Sequence, residues 1–155
     1  MNQSGSIVQV SISRGGVPKL ATMEAEITEL GLVGDGHNEP GIHGGPERAV
    51  CLFAIERIEA LAAEGHPIFA GAAGENITTT GIDWDLVLPG TQLRLGAAVL
   101  LEVTRYTTPC KTIARWFANG DSNRIHNNLR PGWSRVYARV LQPGVVRPGD
   151  VVEVV

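Results

Sequence analysis

Ile7-Val8-Gln9-Val10-Ser11-Ile12-Ser13, followed directly by Arg14-Gly15-Gly16-Val17-Pro18-Lys19, sets the architecture. The first half is β-branched and largely alternating, so it reads as a strand; the glycine and proline residues of the second half read as a turn. The same grammar recurs down the chain. Residues 23–30 predict a second strand, with Ala25, Ile27 and Met23 on one face. Ala49-Val50-Cys51-Leu52-Phe53 is short and apolar, as a buried strand is. Residues 54–64 place Ile55, Ile58, Leu61 and Ala62 on one helical face and Glu56, Arg57, Glu59 and Glu64 on the other, and Gly65 supplies the stop. Further strands are expected at 76–80, between Pro89-Gly90 and Leu95-Gly96, and at 97–104, 134–141 and 151–155. Residues 110–118 predict a second helix. Strands dominate and turns are frequent. The expected class is mainly β with helical insertions (α+β), as a closed or nearly closed β-barrel.

A length of 155 residues is enough for a substantial core, and no Pro/Ser-rich or charged run divides it, so one domain over residues 1–155 is expected. The N-terminus has no basic n-region, and the longest apolar runs are too short to span a bilayer, which points to a cytoplasmic protein with no membrane partner. A net charge of -3 with no basic stripe argues against nucleic acid as a partner. The basic residues are 11 arginines against two lysines, Lys19 and Lys111. Arginine suits bidentate recognition of carboxylate or phosphate, although codon usage in a GC-rich genome accounts for the bulk of them. Two cysteines, Cys51 and Cys110, make neither a disulfide framework nor a C-x-x-C metal pair.

Chemistry concentrates in Thr107-Thr108-Pro109-Cys110-Lys111-Thr112-Ile113. With Thr108 as N-cap and Pro109 in the first helical position, Cys110 would fall in the first turn beside Lys111, where unpaired N–H groups favour a thiolate. A thiolate attacks electrophiles and binds soft metals. Cys51, inside its apolar run, reads instead as core. The long loop of residues 31–46 carries Asp35, His37 and His43 and leads into Arg48. Its glycines suit close approach to an anion, but it is neither a P-loop nor a dinucleotide fingerprint. The two histidines and Asp35 match no common zinc spacing. Gly74-Glu75-Asn76 offers donors and acceptors to a heterocycle. Ser134, Arg135 and Arg139, around Trp133, are equally compatible with a ligand contact and with a solvated strand edge.

Taken together, several segments resemble the MOSC family, named for the C-terminal domain of molybdenum cofactor sulfurases, in its small stand-alone bacterial branch. They are Gly15-Gly16-Val17-Pro18-Lys19, Gly31-Leu32-Val33-Gly34-Asp35-Gly36-His37, His43-Gly44-Gly45-Pro46-Glu47-Arg48-Ala49-Val50, Gly74-Glu75-Asn76 and Arg105 through Lys111, with Pro131-Gly132-Trp133-Ser134-Arg135 and Pro148-Gly149-Asp150. The resemblance implies a β-barrel fold and a pocket for molybdenum cofactor (molybdopterin). Cys110 matches the cysteine that ligates molybdenum in relatives that reduce N-hydroxylated compounds, which makes it the implied metal ligand and catalytic residue. By position Thr108, Asn76 and Glu75 would line the pterin or metal site. Arg48 and Lys19 would face the phosphate, and His43 joins the cofactor-binding set. Pyridoxal phosphate is a second implied ligand, with Lys111 as its Schiff-base candidate.

The chain lacks the companion N-terminal barrel of amidoxime-reducing relatives, a desulfurase domain and a cysteine cluster for an iron–sulfur relay. A second subunit, as in a homo-oligomer, and an external electron-donor protein are therefore implied. Three functional readings follow. The first is reduction of a small N-hydroxylated or N-oxide substrate; the second is a non-enzymatic carrier of sulfur or cofactor for an acceptor protein; the third is an anion-binding module.

Overall fold

The computed structural model describes residues 3–36 and 45–155; His37 and His43 lie outside them. Strand β1 (Ser4–Ile12) starts the barrel. Its pairing slips between Ile7 and Gln9, a bulge at Val8. The bulge explains why Ile7 and Val10, three residues apart, are both buried while Val8 is exposed. Strict alternation cannot produce that spacing.

Residues 23–30 do not form a single strand. The chain instead makes β2 (Leu20–Thr22) and β3 (Ala25–Thr28), followed by the two-residue β4 (Gly31–Leu32). Ala25 and Ile27 face the core as expected, but Met23 lies between β2 and β3 and is 83% exposed. Then come β5 (Val50–Ala54), buried at every position, and the helix α1 (Ile55–Ala63), which buries Ile58 and Leu61. Gly65, at φ 101°, ends that helix in the left-handed region that glycine tolerates. The remaining strands are β6 (Ile77–Thr80), β7 (Gln92–Leu95), β8 (Val99–Tyr106), β9 (Val136–Gln142), β10 (Gly144–Val146) and β11 (Val151–Val154).

Seven strands close on themselves in the order β11-β7-β8-β9-β5-β6-β1, and β1 returns to β11 through Ser4–Ser6 against Val151–Glu153. Closure removes the two free edges that an open sheet would present. Farther along the same edge of β1, Val10–Ile12 pairs with β2. A separate sheet, β10-β3-β4, packs beside the barrel. All barrel pairings are antiparallel except β5 with β6. A parallel neighbour needs a crossover, and α1 with the loop after it supplies one. That loop delivers Ala73–Asn76 to the barrel wall beside Cys51.

The segment 110–118 is not an α-helix. A 3-10 helix covers Lys111–Trp116, and Cys110 is its extended N-cap residue at φ -132°, ψ 176°. Thr108 therefore does not cap a helix, and Pro109 is not its first residue. Ile113 and Phe117 still bury their side chains. The apolar spacing was legible, but the six residues between Cys110 and Phe117 close i→i+3 turns. Among the described residues no helix is long and apolar enough to cross a membrane.

Candidate functional site

A cavity of about 250 Å³ opens against the barrel wall. Cys51 on β5 and Tyr137 on β9 are register partners, so their side chains share a face. Exposed Arg139 lies two residues beyond Tyr137 on that face, while Val136 and Ala138 point into the core. The cavity thus sits on the outer surface of the barrel. It is walled by the Gly16–Lys19 turn, the Ala73–Asn76 loop and the Cys110–Ile113 segment.

A buried polar knot holds these walls together. Asp35 Oδ1 accepts from the backbone N–H of Ser13 at 2.9 Å and from Lys19 Nζ at 2.7 Å. Its Oδ2 accepts from Asn76 Nδ2 at 2.9 Å. The Lys19 and Asp35 side chains are 8% and 3% exposed, so this is an interior ion pair. The other Asn76 bonds are internal too: Nδ2 also donates to the Ser11 carbonyl at 3.2 Å, and Oδ1 accepts the Cys51 N–H at 3.0 Å. Gly36 passes so close to Arg14 that a Cβ would come within 2.1 Å of its carbonyl oxygen, which bars any other residue there.

Beside Asn76, Glu75 is fully buried. Its Oε2 accepts from Gly71 N–H at 2.9 Å and Thr78 Oγ1 at 3.1 Å, whereas Oε1 has no partner among the described residues. Burial pushes the Glu75 carboxyl above its ordinary range, against those two hydrogen bonds. The Cys51 thiol is likewise pushed up, to about 11, by desolvation. It contributes to the cavity wall as a neutral, inert sulfur. The half-buried Cys110 is placed differently: its Sγ lies 2.8 Å from Thr112 Oγ1.

Of the residues singled out in the sequence, Lys19, Arg48, Asn76, Cys110 and Lys111 line one cavity. Glu75 lies behind the wall and shapes its loop. Thr108 is exposed and not among the lining residues, and His43 lies outside the described residues. The described ends of the 31–46 loop contribute Asp35 to the knot and Gly36 to the lining. Sequence patterning missed Tyr137 and Arg135. Ser134 and Arg135 are not a solvated edge: they are 1% and 4% exposed, with Ser134 Oγ donating to the Thr107 carbonyl and Arg135 Nη1 to the Ala73 carbonyl. Arg139 is exposed and bonds to Glu102 and Glu47. A Ser-Arg pair followed by an alternating strand gives no local sign of which arginine turns inward.

The family model described as MOSC domain matches residues 39–153. Protein YiiM of Escherichia coli is 34% identical over 137 residues, which cover 85% of this chain and 59% of that protein. An uncharacterized protein YflK of Bacillus subtilis is 34% identical over 124 residues, 77% of this chain and 53% of its own length. A protein named reductase in Gibberella moniliformis is 35% identical over 127 residues, 79% of this chain but 22% of its own. The chain therefore spans little more than half of the two bacterial relatives. The crystal structure of Escherichia coli YiiM superposes with a TM-score of 0.74 at 28% identity, covering 98% of this chain and 69% of that one.

Two tests follow from the knot and its neighbour. Asp35→Ala leaves Lys19 buried without its counter-charge and should cost about 3–5 kcal/mol, read from chemical denaturation midpoints; a loss below about 1 kcal/mol, the range of exposed pairs, would refute the clamp. Glu75 holds its proton more tightly folded than unfolded. Its contribution is complete below the ordinary carboxylate range and declines as pH rises through it. Glu75→Gln should therefore gain stability relative to the parent protein as pH rises above the ordinary carboxylate range. A stability difference independent of pH would contradict the assignment.

Proposed function

The chain belongs to the MOSC domain family, and we propose that its pocket binds molybdenum cofactor to reduce small N-hydroxylated or N-oxide compounds. The observation that carries this reading is the meeting, in one cavity, of the Cys110 sulfur with the cationic side chains of Arg48 and Lys111. A soft donor beside positive charge suits a ligand that is a soft metal at one end and an anion at the other.

The donor set also fits the group. Among the described residues no three His, Cys, Asp or Glu side chains converge on one point. A metal held by Cys110 would take further ligands from a pterin dithiolene. In this reading Cys110 is the protein's ligand to molybdenum, and Arg48 and Lys111 face the anionic part. Lys19 and Asn76, whose polar atoms the Asp35 knot engages, hold the wall in place. Glu75 keeps the Gly71–Asn76 loop in shape from behind.

When bound, the cofactor would supply two-electron redox chemistry: the substrate takes up two electrons and two protons, its N–O bond breaks and water leaves. The electrons come from an external donor protein. A half-buried Cys110 leaves one side of the site open to substrate, and the apolar Ile113 and Val17 in the lining limit water around it. Transfer of cofactor or sulfur to another enzyme is the competing use of the same sulfur.

Metal analysis of protein produced in a molybdenum-replete host separates these readings. Stoichiometric molybdenum with pterin is expected in the parent protein and near-complete loss in Cys110→Ser, which removes the soft donor at almost constant volume. Cys51→Ala should keep its molybdenum and lose about 1–2 kcal/mol of stability. Metal-free protein bearing a persulfide on Cys110 establishes the carrier instead. Full molybdenum in Cys110→Ser would overturn the site.

A further inference from the structure

Arg135, just before β9, is 4% exposed and lines the same cavity as Cys110. Its Nη1 donates to the Ala73 carbonyl at 2.7 Å, which fixes one corner of the guanidinium plane. Nε and Nη2 are buried and have no hydrogen-bond partner among the described residues. Those two atoms share the side-on edge of the guanidinium. Their N–H bonds run parallel and match two oxygens of one carboxylate or phosphate. A buried cation with two bonds unmade carries nearly its whole desolvation cost, and native interiors rarely leave such a group incomplete.

No side chain among the described residues completes it. Glu75 is the buried carboxylate whose field reaches Arg135, yet its Oε2 is taken by Gly71 and Thr78 and its Oε1 is itself unpartnered. Among the described residues the two make no salt bridge. The other buried cation of the cavity, Lys19, is neutralised by Asp35. An anion that enters with a ligand would complete the Arg135 edge. The surrounding Arg48 and Lys111 favour a doubly charged anion over a single carboxylate.

We propose that the Nε–Nη2 edge of Arg135 is the anion anchor of this pocket, receiving two oxygens of a phosphate monoester. It deepens the cofactor reading above and rests on it only for the molecule that carries the phosphate. A phosphorylated small molecule presents the same group.

Calorimetric titration of the cofactor-free chain with inorganic phosphate tests the anchor directly. One saturable site is expected. Arg135→Lys keeps the charge and loses the fork, and should weaken binding about tenfold or more. Arg135→Met should abolish it. Arg139→Met, at an exposed arginine four residues further along, should leave it unchanged. A parent protein that takes up no phosphate, or that binds acetate as tightly, overturns the proposal even if no variant folds. So does a folded Arg135→Lys protein with parental affinity. Molybdenum content is a separate readout: phosphate binding without molybdenum sinks the cofactor reading and leaves the anchor, whereas molybdenum with pterin in a protein indifferent to phosphate and to Arg135→Lys does the reverse.

Discussion

Asp35 is a buried carboxylate with three donors turned toward it, and the cavity takes its shape from where those donors start. Ser13 follows β1, Lys19 follows the turn, and Asn76 precedes β6. Asn76 then passes the constraint on to the Cys51 N–H and the Ser11 carbonyl. One side chain thus fixes the β1–β2 turn against the barrel wall. Moving a carboxylate and an ammonium out of water costs several kcal/mol each, and the cost is offset only when nearly every bonding position is filled. Here the filling is what sets the geometry: a displaced turn would leave charge buried and unpaired. The arrangement also has an electrostatic consequence. Lys19 lines the cavity, yet its charge is largely answered before any ligand arrives.

The two cysteines show how one residue type takes two roles within one cavity. Cys51 sits on a strand buried at every position, and desolvation holds its thiol neutral at about 11. A neutral thiol in that wall is a small apolar filler. Cys110 stands at the start of a 3-10 turn, half-buried, beside Thr112 and Lys111. The α-helical first turn expected from Thr108 and Pro109 is absent, so the case for a metal-binding sulfur rests on its neighbours in the cavity and on family position, not on a helix end.

The barrel was legible because its strands are short, apolar and punctuated. Val50–Ala54, Gln92–Leu95 and Val151–Val154 each fall where patterning and turn residues place them. Two kinds of feature escaped. Local irregularities such as the bulge at Val8 and the break between β2 and β3 depend on pairing with distant strands, and a single segment does not carry that information. The orientation of long polar side chains depends on what covers them. Arg135 just before β9 and Arg139 within it are four residues apart, yet one is buried and the other exposed: the first bonds to the Ala73 carbonyl and to the Thr107 N–H, the second to the surface carboxylates Glu102 and Glu47. Lys19, Arg48, Asn76, Cys110 and Lys111 could be nominated by type and family position. The inward arginine required the fold.

That arginine also bears on whether the pocket keeps or passes on what it binds. A lysine in its place would present a point charge on a flexible stem and hold an anion loosely, at many angles. A guanidinium pinned at Nη1 has lost its freedom before binding, so an anion meeting the remaining edge pays little further ordering cost. Bonds made to a buried charge strengthen in the low-dielectric interior, and differences of that kind between related sites fall mainly on the dissociation rate. A carrier works by release. A desolvated, preorganised fork favours long residence, and a resident cofactor serves an enzyme that turns over many substrates on it. If the pocket holds a phosphate-bearing cofactor as proposed, the buried edge of Arg135, more than the identity of the sulfur at Cys110, would favour catalyst over carrier.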